Sequence, residues 1–407
     1  MSSPEQCSYE GCSEAAWADD PNGLCLYHSP ENGNSGETAL AVWARARAKA
    51  KACDPSFQGW HFPEDPRGQG LLRLFADANT LDIRLDRATF HGRAWLCVVT
   101  GSLVCRETVF MGEVFWPGVS FWAASFEGAH FHGPAQFMAA TFAEGAVFNG
   151  AVFHADAHFG SVRFAYTASF ERAIFEGSAV FAQARFENWA SWRNAQFGGT
   201  AQFGLARFEN NANFAGARFN GMVSFHGASV QQGKDIVFDV PPEAAPFSGP
   251  DQGETAYRLA EEAARARGDH RRAGQYHYAE QCAVEHENRR RQGRSFWRWL
   301  PGLVFGRWVF GFGERPRRVL LAGLVVILLF GVLFWSMAGI TPNADEATAY
   351  SPDLAECLYF SIVTFTTLGY GDFAPKPNFR LLAGMEALAG VALIAVFIVG
   401  LTRKYMR

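Results

Sequence analysis

Aromatic residues recur at steps of five and six through the middle of the chain, from Phe115 to Phe225. A small residue stands two places before most of them, as Ala168 stands before Phe170. Because fives and sixes alternate, the pattern has a period of 11 residues. A helix would spread such residues around its surface, and a flat strand would require a period of two. The spacing therefore predicts a chain that turns a corner every five or six residues and points each aromatic inward.

This A-x-F unit resembles that of pentapeptide-repeat proteins, whose chain winds as a right-handed quadrilateral β-helix. The resemblance implies four sides per 22 residues and roughly seven coils over residues 81–240. The earliest inward positions are less regular; they are Leu85, Phe90, Phe110 and Phe115. The resemblance predicts the fold and says almost nothing about the function.

The net charge of the repeat limits the kinds of partner that it can bind. Residues 81–240 contain 11 Lys or Arg and 13 Asp or Glu, a net charge of −2 over 160 residues. Acidic repeat proteins that mimic duplex DNA need a dense negative surface, and nucleic-acid binding needs a basic stripe. Neither is present, so we expect no nucleic-acid partner. A rod that spaces, caps or oligomerises is the first interpretation, and a surface that docks an unidentified cytoplasmic protein or ligand is the second.

Two long apolar segments lie near the C-terminus. Val319–Ile340 is 22 residues without a charge, enough to cross a hydrocarbon core of about 30 Å. Arg380–Thr402 is a second candidate span and carries one acid, Glu386. Between them, Pro352–Phe365 predicts a short helix with Asp353 in its first turn, where a carboxylate suits the helix dipole.

The segment between that short helix and the second span is rich in threonine and glycine. It consists of Thr366, Thr367, Leu368, Gly369, Tyr370, Gly371 and Asp372. It resembles the selectivity filter of potassium channels, where backbone carbonyls replace the water shell of K⁺. The two glycines suit this role because they adopt the positive φ that aims consecutive carbonyls one way. By the same resemblance, the Tyr370 ring packs against the pore helix and Asp372 anchors the outer end.

The resemblance covers about residues 315–407 and implies a two-span pore subunit. A carbonyl cage needs four filters around one axis, so we expect a homotetramer that conducts K⁺. Gly390 aligns with the hinge glycine of pore-lining helices, although close helix packing explains a small residue equally well. Glu386 is expected behind the filter, bonded to the pore helix or the filter backbone.

Basic residues set the expected topology. Arginines are frequent before the first span, Arg403, Lys404 and Arg407 follow the second, and the loop of residues 341–378 holds only Lys376. The positive-inside rule then places both termini in the cytoplasm. Pentapeptide repeats joined to a two-span pore suggest a bacterial inner (plasma) membrane, with the lipid bilayer as an obligate partner.

The N-terminal segment carries a different kind of site. Cys7, Cys12, Cys25 and His28 follow the spacing C-x4-C-x12-C-x2-H. Two close pairs of soft ligands separated by a short loop suit tetrahedral Zn²⁺, and a reducing cytoplasm argues against disulfides. An iron cluster, a redox switch and four unconnected residues are the alternatives. The other cysteines lack paired spacing and are interpreted as packing residues; they are Cys53, Cys97, Cys105, Cys282 and Cys357.

The chain therefore divides into six predicted segments. They are a zinc knob at 1–35, a basic helix and linker at 36–80, the repeat at 81–240, a linker and αα-hairpin at 241–293, an amphipathic interfacial (slide) helix at 294–314, and the pore at 315–407. A gating signal from the repeat would enter through the hairpin and slide helix. Our hypothesis is that it acts on Arg315, Arg317 and Arg318 at the foot of the first span.

Two function classes remain open on the sequence. The first is a potassium-selective channel with a cytoplasmic repeat domain. The second is a membrane-anchored scaffold or sensor whose ion flux is secondary or non-selective. An enzyme is not expected, because no nucleophile, base and orienting group occur together.

Overall fold

The computed structural model of the protein describes residues 6–33, 36–52, 54, 56–65, 82–95, 101–240, 246–247, 253–292, 316–342 and 350–405. The chain forms two compact units, Met1–Glu287 and Asn288–Arg407. The expected slide helix at 294–314 and Arg315 lie outside the described residues.

The first unit is dominated by a four-sided β-solenoid of two-residue parallel strands. The first face contains His61–Phe62, Thr89–Phe90, Val109–Phe110, His130–Phe131, Val152–Phe153, Ile174–Phe175, Gln196–Phe197 and Arg218–Phe219. The second face contains Ala94–Trp95, Val114–Phe115, Ala135–Gln136, Ala157–His158, Ala179–Val180, Ala201–Gln202 and Val223–Ser224. The third face contains Ser120–Phe121, Thr141–Phe142, Arg163–Phe164, Arg185–Phe186, Arg207–Phe208 and Ser229–Val230. The fourth face contains Ile83–Arg84, Leu103–Val104, Ala124–Ser125, Ala146–Val147, Ala168–Ser169, Ala190–Ser191, Ala212–Asn213 and Ile236–Val237.

Aromatic rings fill the solenoid from end to end. Phe148 stacks on Phe170 with centroids 4.8 Å apart, and Phe170 stacks on Trp192 at 5.4 Å. Equivalent rings of successive coils are nearly parallel because the strands that carry them are in register one coil apart. Alanines such as Ala168 are fully buried within the strands, two places before the ring of each unit, where a larger side chain would compete with the rings for space.

One early ring differs from the expected pattern. Trp116, not Phe115, is buried, with 1% of its surface exposed. Val114 stands two places before Trp116 and takes the small inward position, so the unit is shifted by one residue here. The first strand, His61–Phe62, also begins before the expected boundary at Leu81, because it pairs with Thr89–Phe90 on the first face.

Helices close both ends of the solenoid. Helix α1 (Gly36–Lys51), which follows a 3-10 turn at Pro30–Gly33, buries Val42, Trp43 and Ala46, and Trp43 contacts Phe62. The sequence predicted a basic helix here but not its buried face. At the other end, α2 (Glu254–Ala266) and α3 (His270–Gln292) form the predicted hairpin. Its inner face packs on the last coil, where the Thr255 hydroxyl accepts a hydrogen bond from Phe225 N (3.0 Å).

The second unit contains two long apolar helices and a short one. They are α4 (Pro316–Ser336), α5 (Leu354–Phe365) and α6 (Arg380–Tyr405). Strands Ile340–Pro342 and Phe373–Pro375 pair antiparallel, and a 3-10 turn at Pro377–Phe379 precedes α6. Phe334, Ile340, Cys357 and Phe360 form the core.

The predicted fold class is confirmed: a quadrilateral β-solenoid of about seven turns and an all-α unit with two long apolar helices and a short pore-like helix.

Candidate pore and metal sites

The filter-like segment begins where α5 ends. Asp353 caps the start of α5 and forms a capping box with Glu356, which fixes this helix at its N-terminus. At its other end, Leu368 N donates to Val363 O (3.0 Å), so the chain folds back on the last helical turn. Residues 366–372 then lead into the strand Phe373–Pro375. The capping box thus fixes the N-terminus of α5, and the hydrogen bond at its C-terminus positions the segment that follows.

Three residues of this segment adopt left-handed backbone angles. They are Thr367 (φ 57°), Gly369 (φ 60°) and Gly371 (φ 78°). Glycine adopts such angles at little cost, whereas threonine does so rarely. The Thr367 hydroxyl donates to Thr366 O (2.7 Å), and the Thr366 hydroxyl donates to Ile362 O (2.6 Å). The alternation of positive φ at residues 367, 369 and 371 is what a row of similarly directed carbonyls requires.

The segment is uncovered within one chain. Leu368 is 59% exposed and Tyr370 is 70% exposed. The expected packing of the Tyr370 ring against the pore helix is therefore not found inside a single chain. Asp372 accepts a hydrogen bond from Phe373 N (3.1 Å), which orients its carboxylate at the C-terminal end of the segment.

Glu386 of α6 is fully buried against the other two helices. The Ser361 hydroxyl of α5 lies within hydrogen-bond reach of both the Glu386 carboxyl and Ile327 O of α4. The second carboxyl oxygen, Oε2, has no hydrogen-bond partner among the described residues. Ser361 thus links the short helix to both long ones. The sequence did not single out Ser361, because a serine within an apolar helix gives no distinctive signal.

Gly390 of α6 lies directly against the end of the short helix. A Cβ built on it would lie 2.0 Å from Phe365 O. This contact gives the glycine a packing role; its hinge role stays a prediction. Arg317 and Arg318, the other gating candidates that the structure describes, lie in the first turn of α4.

The four N-terminal ligand candidates come together in space. Their ligand atoms all lie within 4.8 Å of one another. Cys12 Sγ and Cys25 Sγ are 3.8 Å apart, and His28 Nδ1 is 3.6 Å from Cys7 Sγ and 3.2 Å from Cys25 Sγ. A tetrahedral ion with Zn–S bonds of about 2.3 Å and Zn–N bonds of about 2.0 Å needs S···S separations near 3.8 Å and S···N separations near 3.5 Å. The donor set and its spacing therefore fit zinc.

The surroundings of this cluster also suit metal binding. His28 Nε2 lies 3.1 Å from Gln58 O, so a proton on Nε2 leaves Nδ1 free to bind the ion. Burial raises the pKa of Cys25 to about 12 and lowers that of His28. Burial also opposes the Cys7 thiolate, but hydrogen bonds to the backbone of Tyr9 and Cys25 outweigh it and lower the pKa of Cys7. Burial thus favours the neutral thiol of Cys25 over its thiolate when no cation is bound.

A further polar cluster lies inside the helical hairpin, and sequence reasoning missed it. His277 Nδ1 lies 3.2 Å from Glu261 Oε2 and 4.0 Å from Glu280 Oε2. Arg265 pairs with Glu261, and Arg258 Nε pairs with Glu280 Oε1 at 2.8 Å. Arginines thus already engage both carboxylates, which gives this cluster a structural role in joining α2 to α3.

The two long helices of the second unit have the length and composition of membrane spans. Residues Arg317–Ser336 have a mean hydropathy of 2.7, and Pro377–Thr402 have 2.4. A short helix and a filter-like loop stand between them. This arrangement defines the pore domain of a membrane channel.

Known proteins bear out this class and the predicted resemblances. Residues 322–407 match the family described as "Ion channel", and residues 122–163 and 193–229 match "Pentapeptide repeats (9 copies)". Human potassium voltage-gated channel subfamily A member 4 is 36% identical over 76 residues, and subfamily A member 2 of Xenopus laevis is 34% identical over 76 residues. The matched region is 18% of this chain but only 12% and 15% of those two proteins. No solved structure matches the chain significantly. The chain thus joins an ion-channel pore domain with potassium-channel homology to a pentapeptide-repeat β-solenoid.

Proposed function

We propose that the protein is a homotetrameric, potassium-selective channel that conducts through residues 366–372. The observation that carries the proposal is the position of this segment. It leaves the C-terminal end of α5 with left-handed angles at Gly369 and Gly371, in a domain homologous to potassium channels. Four copies would bring four rows of carbonyls around one axis, where they would replace the hydration shell of K⁺.

The exposed side chains of residues 366–372 support the assembly of several copies of the chain. Leu368 and Tyr370 are large side chains that a single chain leaves open to solvent. Neighbouring copies would cover them and provide the packing partner that the Tyr370 ring lacks within one chain.

Reversal potentials test the channel proposal. The purified full chain, reconstituted in planar bilayers between K⁺ and Na⁺ solutions, should give a reversal potential close to the K⁺ equilibrium value. Equal K⁺ and Na⁺ permeability would overturn the filter assignment while leaving a cation channel. Mass measurement of the detergent-solubilised protein should give four chains per particle.

The alternative is a membrane-anchored scaffold or sensor in which the pore unit tethers the solenoid. The solenoid of about seven turns favours this alternative, because conduction through residues 366–372 does not use it. Potassium flux from liposomes separates the two functions, because a tether would release no K⁺.

We also propose that Cys7, Cys12, Cys25 and His28 hold a structural Zn²⁺. The S···S and S···N spacings support it, as does the carbonyl of Gln58 behind His28. Elemental analysis should find one zinc per chain that is lost in Cys25→Ser and kept in Cys105→Ser, a buried cysteine outside the cluster. Equal zinc in both variants would contradict the site.

A regulatory role for the cytoplasmic repeat is the third proposal. In this proposal, the solenoid or its ligand acts on Arg315, Arg317 and Arg318 through α3 and the residues that follow it in the chain. The proposal also places both termini in the cytoplasm and the protein in a bacterial inner membrane. Single-channel open probability of the full chain should differ from that of a chain beginning near Arg291; identical gating would refute the role.

A further inference from the structure

Tyr27 takes the place of a preceding coil at the start of the first face of the solenoid. In later coils, the strand residue before the buried ring donates its N–H to a carbonyl one coil earlier, as Thr89 N donates to Trp60 O (2.8 Å). His61 pairs in register with Thr89, and its own N–H donates to Tyr27 O (2.8 Å). Residues 6–33, called here the cap segment, thus cover the edge of the first strand.

The proposed metal ligands lie directly beside this contact. Tyr27 stands between Cys25 and His28 in the sequence. Its ring stacks on Trp60 of the first coil, with centroids 4.6 Å apart. His28 directs Nδ1 toward the cysteines, while its Nε2 lies 3.1 Å from Gln58 O of the same coil. An ion held by Cys25 and His28 would therefore fix the position of the residue that pairs with the first strand.

A second set of contacts joins the cap segment to the first coil. Asn32 is fully buried, and its side-chain amide donates to His61 O (2.6 Å). The Tyr9 ring stacks on His28 at 4.0 Å. On the solenoid side, a Cβ built on Gly59 would lie 2.3 Å from the Tyr9 ring. The two parts of the chain are thus joined by backbone, side-chain and ring contacts around one ligand residue.

The cap segment has little apolar core of its own. Among its described residues, the buried apolar ones are Cys7 and Cys25, which are two of the proposed ligands. Leu26 and Tyr27 are partly buried, and they pack against the core of the solenoid. A segment this small folds with its metal, because the free energy of metal binding replaces that of a hydrophobic core. Metal occupancy should therefore decide whether Tyr27 keeps its position.

The rest of this end of the solenoid is held without the cluster. In helix α1, Trp43 Nε1 donates to Pro63 O (3.0 Å). The first coil also bonds to the second, because Phe57 N donates to Arg84 O (2.8 Å). Loss of the ion should therefore release the cap segment and uncover the first strand, while the coils behind it stay folded.

We propose that the cap segment is a zinc-dependent cover for the solenoid. When Cys7, Cys12, Cys25 and His28 bind the ion, the edge at His61 is covered, and when the ion is removed, that edge opens. This inference rests on the zinc site proposed above. It adds that the supply of zinc acts on the solenoid itself, at the end away from the helical hairpin.

Hydrogen exchange of the full chain in detergent, measured for single amides with zinc bound and after chelation with EDTA, tests the cover. The amide of His61 should exchange about 10-fold or more faster without zinc, because its acceptor Tyr27 O is no longer held in place. The amides of Phe57 and Val109, whose acceptors are Arg84 O and Ala88 O, should exchange equally in both states. Zinc added back should restore slow exchange at His61.

Two cysteine variants provide the matched comparison. Cys25→Ser should show fast exchange at His61 whether or not zinc is added, and Cys105→Ser, at a buried cysteine outside the cluster, should behave as the wild type does. Elemental analysis of the same samples measures the ion separately.

The outcomes distinguish the cover from the zinc site on which it rests. A wild-type chain without bound zinc would contradict the site and the cover together. A chain that binds zinc but exchanges His61 at the same rate after chelation would overturn the cover and leave the zinc site standing. Equal acceleration at Val109 would also overturn it, because the ion would then hold the whole solenoid rather than its first edge.

Discussion

The solenoid buries its apolar side chains within one chain, whereas the pore domain leaves many of its apolar side chains exposed. In the solenoid, rings such as Phe148 and Phe170 have no exposed surface. In the pore domain, Leu321 is 62% exposed, Leu388 is 73% exposed and Leu381 is 85% exposed. One region satisfies its hydrophobic surface within a single chain, and the other does not.

This difference shows where each region finds its partners. A soluble monomer rarely exposes so much contiguous apolar surface, so the exposed leucines on α4 and α6 require lipid or further copies of the chain. The solenoid needs only its own next coil and the helices at its two ends. Stability should therefore be local in the solenoid, and function should depend on assembly in the pore domain.

The largest expected effect is on the proposed filter, residues 366–372. Gly371→Ala places a Cβ at φ 78°, where L-residues are strained. Because the carbonyl row would be disturbed in all four copies, we expect K⁺ flux to fall by about 100-fold or more. Liposome flux measures the loss, and the melting midpoint of the solenoid should not change.

Gly384→Ala is the matched control for this variant. Gly384 lies in α6, and a Cβ there meets nothing within 4 Å in the chain. Its flux should stay near that of the wild type. Equal flux in Gly371→Ala and wild type would show that residues 366–372 do not carry the ion.

The next largest effect is on the core of the solenoid. Phe170→Ala removes a ring stacked on both Phe148 and Trp192, which should cost about 3–5 kcal/mol of unfolding free energy. Denaturant melts followed by circular dichroism measure this loss. Met138→Ala, at a side chain 41% exposed, is the control and should change little. A similar loss in both would mean that the stacked rings are not the main source of stability.

A smaller effect is expected inside the pore domain. Ser361→Ala leaves the Glu386 carboxyl without its hydroxyl partner, which should cost about 1–3 kcal/mol of pore-domain stability. Thermal inactivation of reconstituted flux measures it. Ser336→Ala, at an exposed serine near the end of α4, should have no comparable effect. If the two serine variants inactivate alike, Glu386 does not depend on Ser361.

The smallest effect should come from charges on the outer surface of the solenoid. Arg185 pairs with Glu187 at 3.2 Å and Glu209 at 2.7 Å, and its side chain is half exposed. Exposed ion pairs contribute little because water and salt screen them. Arg185→Gln should therefore leave the melting midpoint unchanged at low and at high salt. A clear, salt-sensitive drop would show that the surface stabilises the fold together with the core.

The solenoid was predictable because its signal is periodic and local. Each coil repeats the same spacing, so the sequence alone indicated which rings lie inside. The exception is Trp116, where two aromatics stand side by side and the repeat alone does not decide between them. The closing role of α1 was also missed, because Trp43 packs on Phe62, and no spacing rule links those two positions.

The pore domain was predictable in its elements, and Glu386 was expected to bond to the short helix, but the particular residues in contact were not predictable. Hydropathy indicated both spans, and the glycines indicated the loop between them. The contact of Gly390 with Phe365 and the bond between Ser361 and Glu386 join residues far apart in the chain. No spacing rule links such pairs.

The fixed register of the coils makes the solenoid a molecular ruler. Phe131 pairs with Phe153, so a regular coil takes 22 residues and adds about 4.8 Å of length; the first coils are shorter, because Phe90 pairs with Phe110 and Phe110 with Phe131. Duplicating or deleting a whole coil changes the length and leaves every face aligned. Inserting five residues instead would carry all later side chains round to the next face. Evolution can thus adjust the reach of this rod in whole coils, and a surface shared by several coils keeps its alignment when a whole coil is added or removed.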